Sequence, residues 1–189
     1  MKYAAFEELN TERLLLRKLR ETDAACYFMR LGGREAVTRF MLWQPHKSLQ
    51  ESRDSIGKVL VRYGEKNGYC WAITRKNEDT VIGRIDLLRF DEEHSSCSFA
   101  YMLAEDFWNQ GFGTEALQAV FTFAFENMQM QSITADHFRE NPASGKVMQK
   151  VGMCYLKTEP SKYEKNGIFH DADVYTITYE AWKQANNKS

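Results

Sequence analysis

The chain has 189 residues, a formal net charge of −1, 43% hydrophobic residues and 27% charged residues. This length suits one domain over residues 1–189, and the near-neutral charge argues against binding to nucleic acid or to a membrane surface. No window reaches the roughly 20 apolar residues of a membrane span, and the start lacks the apolar core of a signal peptide. The four cysteines and four histidines show no metal-ligand spacing, so we expect a reduced, cytoplasmic protein without a bound metal.

The first half of the chain alternates short apolar runs with helical patterns. Its predicted elements are, in order, a strand at 11–19, a helix from Thr22 or Asp23 to about Leu31, a helix opened by a capping box at 48–51 and closed by Asn67 and Gly68, and strands at 69–74, 80–90 and 97–103. Because only short polar turns join the last three strands, we expect antiparallel hairpins.

The second half contains two helices and three further strands. Its predicted elements are a helix from about Thr114 to near Met128, a strand at 132–138, a helix with Asn141 as N-cap and Gly152 beyond its end, and β-like runs MCYLKT and DVYTITYEAW on either side of a polar loop at 162–167. This order predicts one α/β domain with a mixed, mostly antiparallel central sheet flanked by helices.

Residues 107–116 read FWNQGFGTEA and place Gly111 and Gly113 between a predicted strand and a predicted helix. The first turn of a helix leaves N–H groups unpaired at its positive end, and glycines let neighbouring amides turn toward an anion. The stretch has neither a Gly-Lys-Ser/Thr ending nor a G-x-G-x-x-G pattern. It therefore predicts a phosphate-bearing cofactor that is neither a nucleoside triphosphate nor a nicotinamide dinucleotide. The alternative is an ordinary tight turn into a helix.

Several segments together resemble one enzyme family. TERLLLRKL, VIGRIDL, FAYMLAEDFWNQGFGTEAL and ENPASGKVMQKVGM resemble the GNAT superfamily of N-acetyltransferases, and within it the branch that acetylates the N-terminal residues of ribosomal proteins. The resemblance implies a GNAT-like domain, acetyl-CoA as co-substrate, and acetyl transfer in a ternary complex. The implied acceptor is a primary amine on a protein N-terminus or on a small molecule, and the implied state is a monomer or a homodimer.

The resemblance also implies roles for individual residues on the cofactor side. The strand residues Tyr101, Met102 and Leu103 would contact the pantetheine arm, and the pyrophosphate would be held by the backbone of Gln110, Gly111, Phe112, Gly113 and Thr114. Asn141 and Ser144 match positions that contact the cofactor near its sulfur. Many members carry a tyrosine seven residues after that asparagine, whereas this chain has Met148. Ser144 is therefore the candidate acid for the leaving thiolate.

The acceptor side is less well defined. Ser98 stands where the resembled branch often has a glutamate, so Asp86 is the first candidate base and His137 the second. The alternatives are a solvent-facing Asp86 and a packing His137. Phe40, Met41 and Trp43 would wall the acceptor pocket or belong to the core. A polycationic acceptor would require acidic groups in the cleft, with Glu35, Asp86, Glu92 and Glu93 as candidates.

Two other functions remain possible from the residues. Met148 and Ser98 would suit a module that binds or senses CoA without turnover. A nucleotide-binding α/β protein could use the same glycine loop, but a run of antiparallel strands does not fit a doubly wound sheet.

Overall fold

Eight strands form one continuous sheet in the computed structural model, which describes residues 1–186. The strands are, in chain order, β1 (Leu9–Asn10), β2 (Leu14–Arg17), β3 (Cys70–Arg75), β4 (Val81–Asp91), β5 (Ser96–Leu103), β6 (Ser132–Phe138), β7 (Cys154–Lys165) and β8 (Ile168–Thr178). Their order in the sheet is β1-β2-β3-β4-β5-β6-β8-β7. Only β5 and β6 pair in parallel, so the predicted mixed, mostly antiparallel sheet is confirmed.

Helices cover both faces of this sheet. They are α1 (Ala24–Tyr27), α2 (Glu35–Thr38), α3 (Leu49–Arg62), α4 (Phe112–Thr122), α5 (Pro142–Lys150) and α6 (Tyr179–Asn186). Single turns of tighter or wider helix flank them at Glu21–Asp23, Phe28–Gly32, Glu105–Phe107 and Phe123–Asn127. Among residues 1–186, no helix combines the length and the apolar character that crossing a lipid bilayer requires.

Helix α3 shows how local sequence sets an element. The Ser48 hydroxyl accepts a hydrogen bond from Glu51 N at 3.3 Å, as an N-cap should. In a capping box the Glu51 carboxylate would accept from the amide of the N-cap residue Ser48. Here it accepts from Lys47 N at 2.9 Å, one residue earlier. Ile56 and Val59 lie one turn apart and are buried against the sheet, which stabilises the fold by about 1.5–3 kcal/mol for each large side chain removed from water.

The two faces of the sheet carry separate cores. Side chains of Phe99 and Leu103 in β5 pack with α4 in one cluster. Met102, from the same strand, packs with α1 and α3 in the other cluster. Because successive strand residues point to opposite faces, β5 contributes to both cores and separates them.

A gap opens between β5 and β6 in the middle of the sheet. The two strands pair only over three positions, from Ser96 with Ser132 to Ser98 with Thr134. Beyond these pairs β6 continues alongside β8, whereas β5 keeps its ladder with β4. The second half of β5 therefore has a free edge that faces the gap.

Three predicted boundaries were wrong. Helix α4 begins at Phe112, two residues before the expected start at Thr114. The predicted loop at 162–167 is mostly strand, because β7 and β8 form a long ladder that closes only at Asn166 and Gly167. This hairpin is largely exposed, so its polar sequence resembles a loop. The final strand-like run splits after Thr178, whose hydroxyl accepts from Ala181 N at 3.3 Å and starts α6.

Candidate functional site

The start of α4 presents unpaired backbone amides beside the gap. The first backbone bond of the helix runs from Glu115 N to Gly111 O at 3.0 Å. The amides of Phe112, Gly113 and Thr114 precede it, and the N-cap residue Gly111 has no side chain to satisfy them. We call residues 110–114 the amide nest. Its free N–H groups and the positive end of the helix dipole can hold an anion.

Gly111 and Gly113, the two glycines of the nest, differ in the structural reason for having no side chain. Gly111 has φ of +82°, a left-handed conformation that favours glycine. A Cβ on Gly113 would lie 3.6 Å from Tyr101 Cε2 and 3.9 Å from Val147 Cγ1, both ordinary contacts. A Cβ at 113 therefore meets no clash. The space beside this glycine lies between α4 and the residues Tyr101 on β5 and Val147 on α5.

Arg13 supports the nest from a distant part of the chain, and the sequence interpretation missed it. Its Nη1 donates to Gln110 O at 3.0 Å, and its Nε pairs with Glu115 at 2.6 Å. The carbonyl and the N–H of a trans peptide point in opposite directions. Holding the Gln110 carbonyl therefore directs the Gly111 N–H away from Arg13. Because 97 positions separate Arg13 from Gln110, no sequence spacing links them.

The free edge of β5 faces the gap with alternate backbone groups. Ala104 N bonds to Ile82 O at 2.7 Å, so the Met102 backbone also belongs to the β4 side of the ladder. The backbone of Tyr101 and Leu103 faces the gap. The Leu103 carbonyl already accepts from Trp108 Nε1 at 2.7 Å. The backbone N–H and carbonyl of Tyr101 and the N–H of Leu103 therefore remain available to a ligand. The Met102 backbone does not, and this residue lines the cleft.

The start of α5 approaches the same edge. Asn141 is the N-cap, as predicted, but its side chain makes no capping bond and stays available. Ser144 is 9% exposed. Burial raises the pKa of the Tyr101 hydroxyl, and a hydrogen bond with Ser144 opposes that rise. Met148 is buried in the core.

A cleft of about 500 Å³ lies on the other face of the sheet. Its walls come from α1, the segment 41–46, α3, β4 and β5, and include Met41, Trp43, Glu51, Asp54, Arg84 and Asp86. Ala100, Tyr101 and Met102 also line it, so the cleft reaches the strand that borders the gap. Tyr101 therefore belongs both to the edge of β5 that faces the gap and to the lining of the cleft.

Asp86 lies in this cleft, but arginines surround its carboxylate. Arg84 donates to both oxygens at 2.7 Å, and Arg62 donates to one at 3.3 Å. The Asp86 side chain is 9% exposed, so the solvent-facing alternative is wrong. Burial alone would lower the pKa of Arg84, but the Asp86 carboxylate holds it well above its usual value. The arrangement is a buried ion pair in which few lone pairs remain for a base.

Of the other residues predicted to bind the acceptor, one lines the cleft and two lie outside it. Trp43 lines the cleft. Phe40 lies outside it, with its ring centroid 6.0 Å from that of Phe138 on β6. Ser98 is 5% exposed and donates to Leu88 O at 3.3 Å, so it is part of the strand packing and does not line the cleft.

The predicted acidic residues of the cleft are mostly elsewhere. Of the four candidates, only Asp86 lines it. Glu92, for example, bonds to Lys66 at 3.0 Å and to the Tyr3 hydroxyl at 2.8 Å on the surface. The cleft instead has Glu51 and Asp54 at its rim. Sequence alone did not reveal them, because their cleft position depends on how α3 packs.

His137 lies on the α5 side of β6. Its Nδ1 bonds to Phe138 O at 2.7 Å, and its ring stacks on Tyr175 with centroids 5.6 Å apart. Its Nε2 is buried and finds no partner within residues 1–186. A Cβ on Gly145 would lie 2.7 Å from that nitrogen, so this glycine allows α5 to pack over the histidine. The position suits a packing residue.

The cysteines do not supply a nucleophile to the cleft. Burial raises the pKa of Cys70 and of Cys97 to about 12, so both thiols stay protonated near neutral pH. Cys154 is exposed on β7, outside the residues that line the cleft. In the described part of the chain, no cluster of histidine, cysteine, aspartate or glutamate could hold a metal ion.

Known proteins share this sequence pattern and fold. Residues 13–154 match the acetyltransferase (GNAT) domain family. The chain is 28% identical over 172 residues to the uncharacterized N-acetyltransferase YoaA of Bacillus subtilis, covering 91% of this chain and 97% of that protein. It is 28% identical over 169 residues to the uncharacterized N-acetyltransferase p20 of Bacillus licheniformis, covering 87% and 86%.

Solved structures share the fold. A GNAT-family acetyltransferase from Bacillus anthracis superimposes with a TM-score of 0.81 at 21% identity, covering 92% of this chain and 99% of that one. RimL, a ribosomal L7/L12 alpha-N-protein acetyltransferase solved in complex with coenzyme A, gives a TM-score of 0.81 at 20% identity, covering 93% and 99%.

Proposed function

The chain belongs to the acetyltransferase (GNAT) family, and from this premise we propose that it transfers the acetyl group of acetyl-CoA directly to a primary amine in the cleft. The observation that carries the proposal is the gap between β5 and β6. In this proposal the gap joins the amide nest on one face of the sheet to the cleft on the other. Donor and acceptor can thus meet in one complex, and such alignment lowers the entropic barrier of a two-substrate reaction.

The residues present fit the cofactor. The amides of residues 111–114 would hold the pyrophosphate, and the uncommitted Asn141 side chain would contact the arm. The free backbone at Tyr101 and Leu103 would orient the arm along β5. When bound, acetyl-CoA supplies an acetyl group activated as a thioester. A free N–H at this edge can donate to the developing oxyanion, which is often a large part of the catalytic effect.

Proton transfer to the leaving sulfur falls to Ser144 in this proposal. The new N–C bond forms as the C–S bond breaks, the amine loses one proton, and the sulfur gains one. The Ser144 hydroxyl can donate that proton and regain one from solvent, which takes up the proton lost by the amine. The acceptor amine must be neutral to attack. An α-amino group, with a reference pKa near 8, is partly neutral at pH 7 without a dedicated base.

Direct transfer is preferred over an acetylated enzyme intermediate. The thiols of Cys70 and Cys97 are buried and protonated, and none of the four cysteines lines the cleft. A covalent route requires an activated nucleophile beside the thioester. In direct transfer, the acceptor amine bound in the cleft is itself the nucleophile.

Two experiments test the proposal. The first is a calorimetric titration with acetyl-CoA, with ATP and NAD as controls. The second is a thiol-release assay on a panel of primary amines. We expect selective binding of acetyl-CoA and amine-dependent thiol release, with initial-rate patterns of a ternary complex. Ping-pong kinetics would contradict direct transfer. Tight binding without release on any amine would favour a CoA-binding module.

A further inference from the structure

The tip of the β7–β8 hairpin is attached to the segment that walls the cleft. Lys165 Nζ, at the end of β7, donates to three backbone carbonyls: Thr38 O at 2.8 Å, Arg39 O at 3.0 Å and Met41 O at 2.7 Å. An ammonium group has three donors and no acceptor, so these three bonds use its full capacity. The neighbouring Asn166 side chain accepts a further bond from Gln44.

The attached segment, residues 38–44, has little structure of its own. Met41 N bonds to Thr38 O, and the next backbone bond along the chain is from His46 N to Gly32 O. Within the described residues, the amides at 42–44 make no backbone–backbone bond. A segment with so few internal bonds depends on its neighbours for position. We call residues 38–44 the wall segment.

The wall segment separates the hairpin from the cleft. Met41, Trp43 and Gln44 line the cleft on one side, and Phe40 packs toward Phe138 on the other. The other cleft residues are His46 and residues of α1, α3, β4 and β5. None of the residues that line the cleft comes from β6, β7 or β8. Of the lining residues, Glu51, Asp54 and Lys58 on α3 are exposed, as are Gln44 and Ala100, so much of the open side of the cleft lies along α3. A peptide running between the wall segment and the hairpin would have to displace the Lys165 bonds.

We propose that Lys165 is a positioning residue that holds the wall segment against the hairpin and restricts the acceptor to a small primary amine entering along α3. This inference rests on the proposed function. Lys165 touches neither the gap nor the cleft, so it acts through Met41 and Trp43. Its removal frees the wall of the acceptor pocket and leaves the amide nest intact.

The first test compares Lys165→Met with Lys157→Met by amide hydrogen exchange, which needs no acceptor. Lys157 lies on the same strand, where its ammonium pairs with Glu159 at 2.7 Å and its side chain is 56% exposed. We expect exchange at Met41 N to rise about tenfold or more in Lys165→Met only, because the segment opens more often. Equal exchange in a folded Lys165→Met protein would overturn the positioning role.

The second test measures steady-state acetylation of 1,4-diaminobutane, butylamine and an octapeptide with a free alanine α-amine. Because alkyl amines are mostly protonated at neutral pH, rates are compared per concentration of neutral amine, and on that scale we expect the wild type to favour the small amines. Lys165→Met should raise their KM about tenfold with little change in kcat, the pattern of lost uniform binding by the pocket wall, and should begin to accept the octapeptide. Lys165→Arg, which keeps the charge and several donors, should retain a near-normal KM.

The outcomes separate this inference from the proposed function. Acetyl-CoA affinity should be equal in the wild type, Lys165→Met and Lys165→Arg, since the nest is untouched. A wild type that prefers the octapeptide would overturn the size restriction while supporting acetyl transfer. Absence of thiol release with every amine would contradict the proposed function, and the exchange experiment would still decide whether Lys165 positions the wall segment.

Discussion

The amide nest and the cleft lie on opposite faces of the sheet and are built from different materials. The nest consists of consecutive backbone amides at the start of α4, supported by one arginine. The cleft is lined by side chains from five separate parts of the chain. A backbone site depends on conformation, so it constrains few side chains. A side-chain site depends on each residue and on the packing that carries it, so it can differ between proteins that share the fold.

The difference assigns separate tasks to the two regions. The nest has the chemistry for a pyrophosphate group, which every acetyl-CoA molecule carries. Under the proposed function, the cleft determines which amine reaches the thioester. Changes in the nest should therefore affect cofactor binding with any acceptor, and changes in the cleft should affect acceptor choice or local stability. Four substitutions test this division.

Gly113→Asp should have the largest effect. The carboxylate would enter the room between α4 and α5 and repel the pyrophosphate, so we expect acetyl-CoA binding to be lost in calorimetry. The fold should survive, because a Cβ fits there and an acidic residue in the first helical turn is favourable. Gly57→Asp is the control, since a Cβ on that α3 glycine meets nothing within 4 Å. Wild-type affinity in Gly113→Asp would rule out the nest as the pyrophosphate site.

Asp86→Asn should act mainly on stability. It removes the negative charge that faces the buried guanidinium of Arg84, and breaking a buried pair in this way costs about 3 kcal/mol. We expect that loss in the free energy of unfolding measured with urea, and a rate reduced less than about tenfold at saturating substrates. Asp91→Asn, on the same strand but 46% exposed, should be nearly neutral. A rate loss above about 10²-fold with unchanged stability would instead support Asp86 as a general base.

Ser144→Ala should slow the reaction more than it weakens cofactor binding. Removing one proton donor to the leaving sulfur should reduce kcat by roughly 10- to 100-fold, measured by thiol release, while the Kd for acetyl-CoA changes little. Ser132→Ala, at the far end of β6 from the gap, should leave both values unchanged. An unaltered kcat in Ser144→Ala would exclude this hydroxyl as the acid.

Arg13→Met should have the smallest effect of the four. Without the bond to the Gln110 carbonyl, the Gly111 amide loses its fixed direction, and we expect the KM for acetyl-CoA to rise by about threefold to tenfold, which corresponds to the net value of one ordinary hydrogen bond. The control is Arg75→Met, because the two arginine side chains are similarly exposed, 43% and 46%. A change in acceptor KM alone would show that Arg13 does not act on the nest.

The sequence predicted the nest better than it predicted the cleft. The positions of Gly111, Gly113 and Asn141 at helix starts follow from local patterns, and the structure confirms these positions. The roles of these residues toward acetyl-CoA, like that of Ser144, stay predictions. On the cleft side, Trp43 and Asp86 line the cleft, and their roles toward an acceptor also stay predictions. Phe40 packs toward Phe138 and Ser98 bonds to Leu88 O, contacts that depend on how distant segments pack and that the sequence did not reveal.

The sequence by itself determined the order of strands and helices, the glycine-bordered start of α4 and the resemblance to an acetyltransferase family, because such features depend on residues close together in the chain. Only the tertiary structure decided which distant groups meet. It brought Arg13 to Gln110 across 97 positions and Lys165 to Thr38 across 127, and it enclosed Asp86 between two arginines. These contacts arise from the packing of the sheet and its helices, which no local pattern specifies.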